Sequence, residues 1–318
     1  MKQEPGWAFA GSGLDRATGL RADPVALAAA LAAPGARVLP VWQGRLLVEE
    51  GARLGWLSAG HPVLAGAAAA PMLLGLEAGA ARFAQDIAPW QPTAGSAPAP
   101  GFLDPFEPGH PALPETFRFA DLRGVMGLLS PRAAELAAMA RALTGWHASH
   151  RFCAACGAAS LPAEAGWQRL CPACGAAHFP RTDPVVIMLV THGNATLIGR
   201  SPGWPDGMYS CLAGYIEPGE TVEAAVRREV AEETGVQVGS VCQVGSQPWP
   251  FPASLMLGCH GRAETTAITP DPAEIEDACW ITREDLAQVF AGHHATIRAP
   301  RVGAIAHGLM RRWLADRL

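Results

Sequence analysis

Positive charge is scarcer than negative in this sequence: 24 Lys and Arg stand against 29 Asp and Glu, a formal net charge of −5. That balance excludes a general electrostatic attraction to the nucleic-acid backbone, so an anionic ligand must meet local positive charge, from a bound cation or a few arginines. Charge of either sign is sparse, at 17% of residues against 49% hydrophobic, which excludes disorder throughout and leaves ample material for a core. Long apolar runs are lacking. The most apolar stretch, Pro62 to Leu76, contains Gly66, Pro71 and Gly75 and is cut off by Glu77, short of the roughly 18 residues that span a bilayer. The opening MKQEPGWAFAGSG has no secretory h-region, and the closing Ala315-Asp316-Arg317-Leu318 is no peroxisomal address. The expectation is a soluble, cytoplasmic protein with no membrane partner. In that setting the eight cysteines bind metal or sit in cores rather than form disulfides.

A chain of 318 residues accommodates two ordinary domains and a small module, and 35 Gly with 28 Pro predict many turns. Residues 36–50, ARVLPVWQGRLLVEE, read as two short strands joined at Gln43-Gly44, so the N-terminal third contains a sheet. Prolines crowd the stretch from Pro89 to Pro114 and mark a linker. Ser130-Pro131 reads as an N-cap followed by Pro at the first helical position, with Leu136, Met139, Ala140 and Leu143 on one face of a helix reaching about Trp146. A cysteine-rich segment, a β-branched run from Val185 to Val190, an acidic segment and a closing helix bearing Ile305, Leu309 and Trp313 follow. No repeat of solenoid period is visible.

Cys153-x-x-Cys156-Gly and Cys171-x-x-Cys174-Gly form two matched pairs. Four thiolates suit tetrahedral Zn²⁺, and a two-residue gap lets one tight turn present two sulfurs, with glycine completing the turn. A redox dithiol is the alternative, although it needs only one pair. With its shell closed, such a zinc is structural. His147 and His150 flank the module but are not required as ligands. Cys211, Cys242, Cys259 and Cys279 lack ligand spacing and read as small core residues.

The stretch from Gly214 to Val236, GYIEPGETVEAAVRREVAEETGV, crowds carboxylates into an otherwise apolar chain. In a helix Glu229, Glu232 and Glu233 leave from one face, directly below an apolar stripe of Val222, Ala225 and Val226. Neighbouring like charges weaken a helix by roughly 0.2–0.5 kcal/mol per pair, and partial burial adds to this unless cations neutralise them. Mg²⁺, a hard cation that prefers carboxylate oxygens and substrate phosphates, meets that need. A solvated acidic face is the alternative reading of the glutamates alone.

The full pattern of Gly214, Glu220, Arg228, Glu229, Val230, Glu232, Glu233, Gly235 and Val236 resembles the Nudix box, the loop-helix-loop signature of hydrolases of nucleoside diphosphates linked to another moiety. The resemblance implies that Glu229, Glu232 and Glu233 hold Mg²⁺ or Mn²⁺ and carry the catalysis. It also implies that Ala213 offers a backbone carbonyl to a metal, and that Glu220 and Arg228 brace the motif as an ion pair.

Downstream, Ser246-Gln247-Pro248-Trp249-Pro250-Phe251-Pro252-Ala253-Ser254 places three prolines at alternate positions, which removes donors and holds the segment extended, so it is no ordinary central strand. Trp249 and Phe251 read either as core packing or as a platform for flat rings. The string resembles the specificity motif of zinc-ribbon NADH pyrophosphatases, and further matches extend that resemblance from about residue 117 to the C-terminus. By that resemblance Gln247 through Ser254 form one wall of a substrate pocket and Ala306 lines it. Phe179 and Tyr215 supply ring contacts, and Glu274, which by itself reads as a surface acid, is an extra metal ligand outside the box. Arg123, in a Leu-Arg pair before the ribbon, reads either as a phosphate contact or as a solvated surface arginine.

The implied fold is α/β: an N-terminal α/β domain over 1–128 with its proline-rich linker near 89–114, a connecting helix over 129–150, a zinc ribbon over 151–179, and a Nudix α/β/α sandwich with a mixed sheet over 180–318. The implied reaction is metal-dependent hydrolysis of NAD(H) to NMN(H) and AMP by in-line attack of water, with Glu232 or Glu233 as base, in a homodimer. NAD-capped RNA is the other substrate that the resemblance implies. A broader hydrolase acting on compounds such as ADP-ribose and a non-catalytic nucleotide sensor are the rival readings, although a sensor has no need of the full glutamate set.

Overall fold

A computed structural model describes residues 6–50, 53–67, 69–92 and 106–318. The middle of the expected linker, residues 93–105, lies outside the described residues. The chain divides into two compact units, one of Gly11–Arg181 with Pro250–Ala253, the other of Met1–Ala10, Thr182–Trp249 and Ser254–Leu318.

In the first unit, helices α1 (Thr18–Arg21) and α2 (Pro24–Ala32) precede a mixed sheet of β1 (Arg37–Trp42), β2 (Arg45–Glu49), β3 (Arg53–Leu54), β4 (Met72–Glu77), β5 (Ala80–Asp86) and β6 (Phe117–Ala120). The strand order is β3-β2-β1-β5-β4 with β6 on β2, and only the β1–β5 pairing is parallel. Gln43 and Gly44 both have positive φ, 49° and 78°, the requirement of a two-residue hairpin turn whose twist matches its strands, so β1 and β2 meet where the sequence placed the turn. The short α3 (Leu122–Val125) leads into α4 (Pro131–Ser149). The Ser130 side chain accepts the Ala133 N–H at 3.3 Å, and the helix runs one turn's worth beyond Trp146 because no breaker stands there. Leu136, Met139, Ala140 and Leu143 are all buried.

The cysteine module follows as a small antiparallel sheet of β7 (Leu161–Ala163), β8 (Gln168–Leu170) and β9 (Ala177–His178). Trp167 donates its indole N–H to Leu73 O at 2.6 Å, which ties this module to the larger sheet of the same unit. His147 is part of that fastening: its Nδ1 takes a hydrogen bond from Arg169 at 2.9 Å, and a guanidinium can only donate. The Nδ1 is therefore unprotonated, and Nε2–H donates to Gly166 O at 2.8 Å.

The second unit is a mixed sheet of β10 (Asp183–His192), β11 (Ala195–Arg200), β12 (Leu212–Tyr215), β13 (Val238–Trp249), β14 (Ser254–Ala263) and β15 (Asp277–Thr282), with α5 (Val222–Thr234), α6 (Arg283–Phe290) and α7 (Ile305–Leu314). Its order is β13-β14-β10-β11-β15, with β12 on β10 and a parallel pairing between β10 and β14. The run Val185 to Val190 lies in β10, and its continuous apolarity has a reason: both faces are covered. Val185, Ile187 and Leu189 pack in one cluster with Leu286, Ile305, Leu309 and Trp313, whereas Val186, Met188 and Val190 pack in the other with Ala225, Val226 and Val230. Helices thus cover the mixed sheet on both sides, as the expected sandwich requires.

The proline-rich string departs from its expectation. It is extended only as far as Trp249, which pairs with Ser254, and residues 250–253 form a hairpin turn with a cis Phe251–Pro252 peptide. The expectation that it is no central strand agrees with its place on edge strand β13, where a missing N–H is tolerated. Among the described residues, no helix is long and apolar enough to cross a membrane.

Candidate active site and metal centres

Helix α5 starts where Thr221 accepts the Ala224 N–H at 3.2 Å and stops where Gly235, at φ 73°, returns its N–H to Ala231 O at 2.9 Å. Its fully buried Ala225, Val226 and Val230 face the sheet. Glu229 and Glu233 follow them into the interior and are only 7% and 6% exposed, whereas the Glu232 side chain is 56% exposed. Of the three box glutamates, only Glu229 and Glu233 thus lie on the buried side of the helix. At about 100° per residue, Glu229 and Glu233 are about 40° apart, and Glu232 lies about 100° from Glu233.

The third carboxylate of the cluster comes from outside the helix. Oxygens of Glu229, Glu233 and Glu274 lie within 4.8 Å of one another. The loop that carries Glu274 is tied to the end of α5: Asp271 N–H donates to Glu233 O at 3.1 Å, and Glu274 N–H to Asp271 O at 3.1 Å. On the other side, a Cβ built on Gly214 would stand 1.9 Å from Glu229 Cδ, so the carboxylate rests against bare backbone of β12, beside Ala213.

Burial raises the affinity of Glu229 for a proton, opposed by Arg228 and reinforced by Glu232 and Glu274. Burial, then the charges of Glu229, Glu274 and Glu232, push Glu233 up to about 8, and its buried Oε2 has no hydrogen-bond partner among the described residues. Three converging carboxylates and an orphaned oxygen are what a hard divalent cation satisfies, so the residues present fit such an ion.

Arg228 stands beside this cluster. It grips Glu220 with Nε to Oε1 at 2.7 Å and Nη2 to Oε2 at 2.8 Å, reaches Glu229 and Glu232 with Nη1 at 2.9 Å each, and donates to Tyr215 O at 2.9 Å. Hydrogen bonds from Arg228, then from the Glu217 backbone, hold Glu220 down at about 2. The fork fixes the loop before α5 to the helix itself.

The four module cysteines bring their sulfurs within 4.8 Å of one another, with Cys153–Cys174 at 3.6 Å and Cys156–Cys171 at 3.5 Å. Tetrahedral ligands about 2.3 Å from zinc stand about 3.8 Å apart, so these thiols fit that ion with little adjustment. All eight cysteines are free of disulfides. His178, which the sequence did not single out, places Nε2 at 3.2 Å from Cys153 Sγ. Its only signal in sequence was adjacency to the second pair.

The residues expected to contact substrate are dispersed. Phe179 is 68% exposed at the rim of a cleft of about 270 Å³, with Trp146, His150, Phe152, His178 and Arg181 around it. Tyr215 is 55% exposed at the end of β12. Gln247 was expected in a pocket wall, but its side chain is fully buried: Nε2 donates to Ala8 O and Gly303 O at 2.8 and 2.7 Å, and Oε1 accepts from Ile305 N at 2.8 Å. Its amide is spent on backbone. Ala306 is likewise buried, within the apolar cluster under α7. Pro248 and Pro252 are exposed, Pro250 and Ser254 are buried, and Ala253 is half-buried. Trp249 packs edge-on to Phe9 with centroids 6.5 Å apart. Phe251 lies under the guanidinium of Arg123, whose Cζ is 4.2 Å from the ring centroid, and Arg123 is also 3.7 Å from Asp121.

Comparison with known proteins covers most of the chain. Family models match an NADH pyrophosphatase-like rudimentary NUDIX domain over residues 35–146, an NADH pyrophosphatase zinc ribbon domain over 148–179 and a NUDIX domain over 180–299. The rudimentary domain is the part that the N-terminal sequence had left unspecified beyond α/β. The chain is 45% identical over 197 residues to the human NAD-capped RNA hydrolase NUDT12, a match covering 58% of this chain and 43% of that protein. It is 37% identical over 203 residues to the NAD-capped RNA hydrolase NudC of Mycobacterium bovis, a match covering 61% of this chain and 65% of that protein. The chain thus spans less than two thirds of the length of either relative. A solved NUDIX hydrolase from Nitrosomonas europaea aligns at 18% identity with a TM-score of 0.43, over 52% of this chain and 92% of that one.

Proposed function

We propose that this chain, which belongs to the zinc-ribbon NADH pyrophosphatase family of Nudix proteins, hydrolyses the diphosphate bond of NAD(H) to NMN(H) and AMP. The observation that carries the reading is the cluster of Glu229, Glu233 and Glu274 with an unsatisfied buried oxygen on Glu233. Those three side chains, with the Ala213 carbonyl, would hold Mg²⁺ or Mn²⁺. When bound there, such an ion would supply positive charge to phosphate oxygens and lower the pKa of a water.

The chain's own residues do the rest. Arg228 and Glu220 keep the loop before α5 against the helix, so that Glu229 and Gly214 stay in register. Glu232 and Glu233 are the two candidates to take the proton of the attacking water. The water oxygen bonds to phosphorus as the P–O anhydride bond breaks, and AMP and NMN(H) leave. The thiolates of Cys153, Cys156, Cys171 and Cys174 would hold a structural Zn²⁺. The mammalian and mycobacterial relatives carry the name NAD-capped RNA hydrolase, and removal of NAD caps from RNA is a second substrate within this reading. A cytoplasmic homodimer completes it.

The test is incubation of zinc-loaded protein with NADH and Mg²⁺ or Mn²⁺, followed by measurement of AMP. Release that stops on chelation and resumes with metal is expected. Absence of AMP from NADH and NAD⁺, together with absence of NMN and of 5′-monophosphate RNA from NAD-capped RNA, rejects the proposal.

A further inference from the structure

Arg141 is a cation that the expected site did not include. It lies on α4, half-buried, with no carboxylate at ion-pair distance among the described residues. Burial brings its pKa down to about 10, with Asp121 opposing and Arg123 and Arg45 adding to the fall. A desolvated guanidinium facing neutral acceptors is costly compared with an apolar side chain of similar volume, so its contacts need an explanation.

Those contacts converge on one turn. Nε donates to Pro250 O at 2.8 Å, Nη1 donates to Gly44 O in the β1–β2 turn, and Cζ lies 4.8 Å from the centroid of the Phe251 ring. Arg123 faces the same ring at 4.2 Å and is itself oriented by Asp121, which accepts its backbone N–H at 2.8 Å. Phe251 is therefore held by two guanidinium groups. Gly44 serves this arrangement twice, by its positive φ and because a Cβ there would stand 2.7 Å from Arg141 Nη1. A lysine keeps the charge but loses the planar fork that reaches two carbonyls while lying against a ring.

We propose that Arg141 is a positioning residue that sets the conformation of the Pro250–Ala253 turn and the orientation of Phe251, and thereby the selectivity for a nicotinamide-bearing dinucleotide over ADP-ribose. The inference rests on the proposed hydrolysis of NAD(H) and on the resemblance by which Gln247 through Ser254 form a wall of the substrate pocket. Arg141 acts through Phe251 and touches no reacting atom.

The test compares zinc-loaded wild type, Arg141→Lys and Arg141→Met on NADH and ADP-ribose, with melting temperatures measured in parallel. The expected result is a KM for NADH raised about tenfold with kcat within about threefold, and little change on ADP-ribose, the size of effect that a misplaced pocket wall produces. Gly44→Ala, which crowds the same guanidinium from the other side, is expected to shift the ratio in the same direction. If wild type cleaves NADH and the variants keep the NADH to ADP-ribose ratio within about twofold, the positioning role is overturned while the enzymatic reading stands. An equal loss on both substrates that tracks the melting temperature also overturns it, since fold support alone gives that pattern. Wild type that cleaves neither substrate removes both.

Discussion

The carboxylate of Glu229 occupies the space over Gly214 that a side chain would fill, with Oε2 2.0 Å from where a Cβ would lie. Gly214 is not among the residues of positive φ, so the requirement is for close approach and not for backbone freedom. Gly214→Ala is expected to push Glu229 out of the cluster and to lower turnover by about 10²-fold, the cost of an ångström-scale misplacement. The measurement is AMP release at saturating Mg²⁺ with a thermal melt as control. Turnover near that of wild type in a folded variant contradicts the arrangement.

Glu233 combines burial with an unpartnered oxygen. Glu233→Gln is expected to lower turnover by about 10² to 10⁴, the range for loss of a positioned acid or base. Calorimetric titration with Mn²⁺ should show weaker binding in the same variant and in Glu274→Gln. Near-normal turnover in both Glu232→Gln and Glu233→Gln would dismiss the catalytic assignment of this pair.

The pH dependence follows from the direction of the Glu233 shift. Its folded pKa, about 8, stands above the ordinary 4.5, so the protonated carboxyl stabilises the metal-free fold. That contribution is complete below the unfolded value and is lost as pH rises through about 8. The melting temperature of metal-free protein should therefore fall between about pH 5 and about pH 9 more steeply than that of Glu233→Gln. Added Mg²⁺ should recover more of it at the alkaline end, where the ligand is already deprotonated. Parallel profiles for the two proteins would refute this.

His178 gives Cys153 a hydrogen bond that a zinc-bound thiolate accepts. Residues in this supporting position commonly govern metal affinity by about 10- to 100-fold. His178→Ala is expected to release zinc to a chromogenic chelator with an affinity lowered by about that factor, and His178→Gln, which retains an N–H donor, should lose less. Equal zinc retention by all three proteins would show that the contact is incidental.

Local signals were legible where the chain decides its own conformation. Gln43-Gly44 gave the β1–β2 turn because Gly44 takes positive φ without a Cβ clash, and Gln43 follows it into the left-handed region. Ser130-Pro131 gave the start of α4, and the β-branched run Val185 to Val190 lies in strand β10. The ribbon cysteines were legible for a similar reason, since each pair is presented by one turn. Their sulfurs meet in the fold as the spacing required.

What the spacing left undecided depended on distant parts of the chain. Helical period put Glu229, Glu232 and Glu233 together, but the sheet buries only two of them, and the third oxygen donor comes from Glu274 on a loop that the Asp271 N–H hydrogen bond ties to α5. The same holds for Gln247, whose amide is consumed by Ala8, Gly303 and Ile305, and for Arg141, which meets Pro250 across more than a hundred residues. The sequence by itself determined which residue types are present and how each segment folds locally, because backbone preference, turn chemistry and periodicity act over a few residues. Only the tertiary structure decided which carboxylates lose their water and which polar groups find partners, because desolvation and hydrogen bonding depend on neighbours that the order of the chain does not reveal.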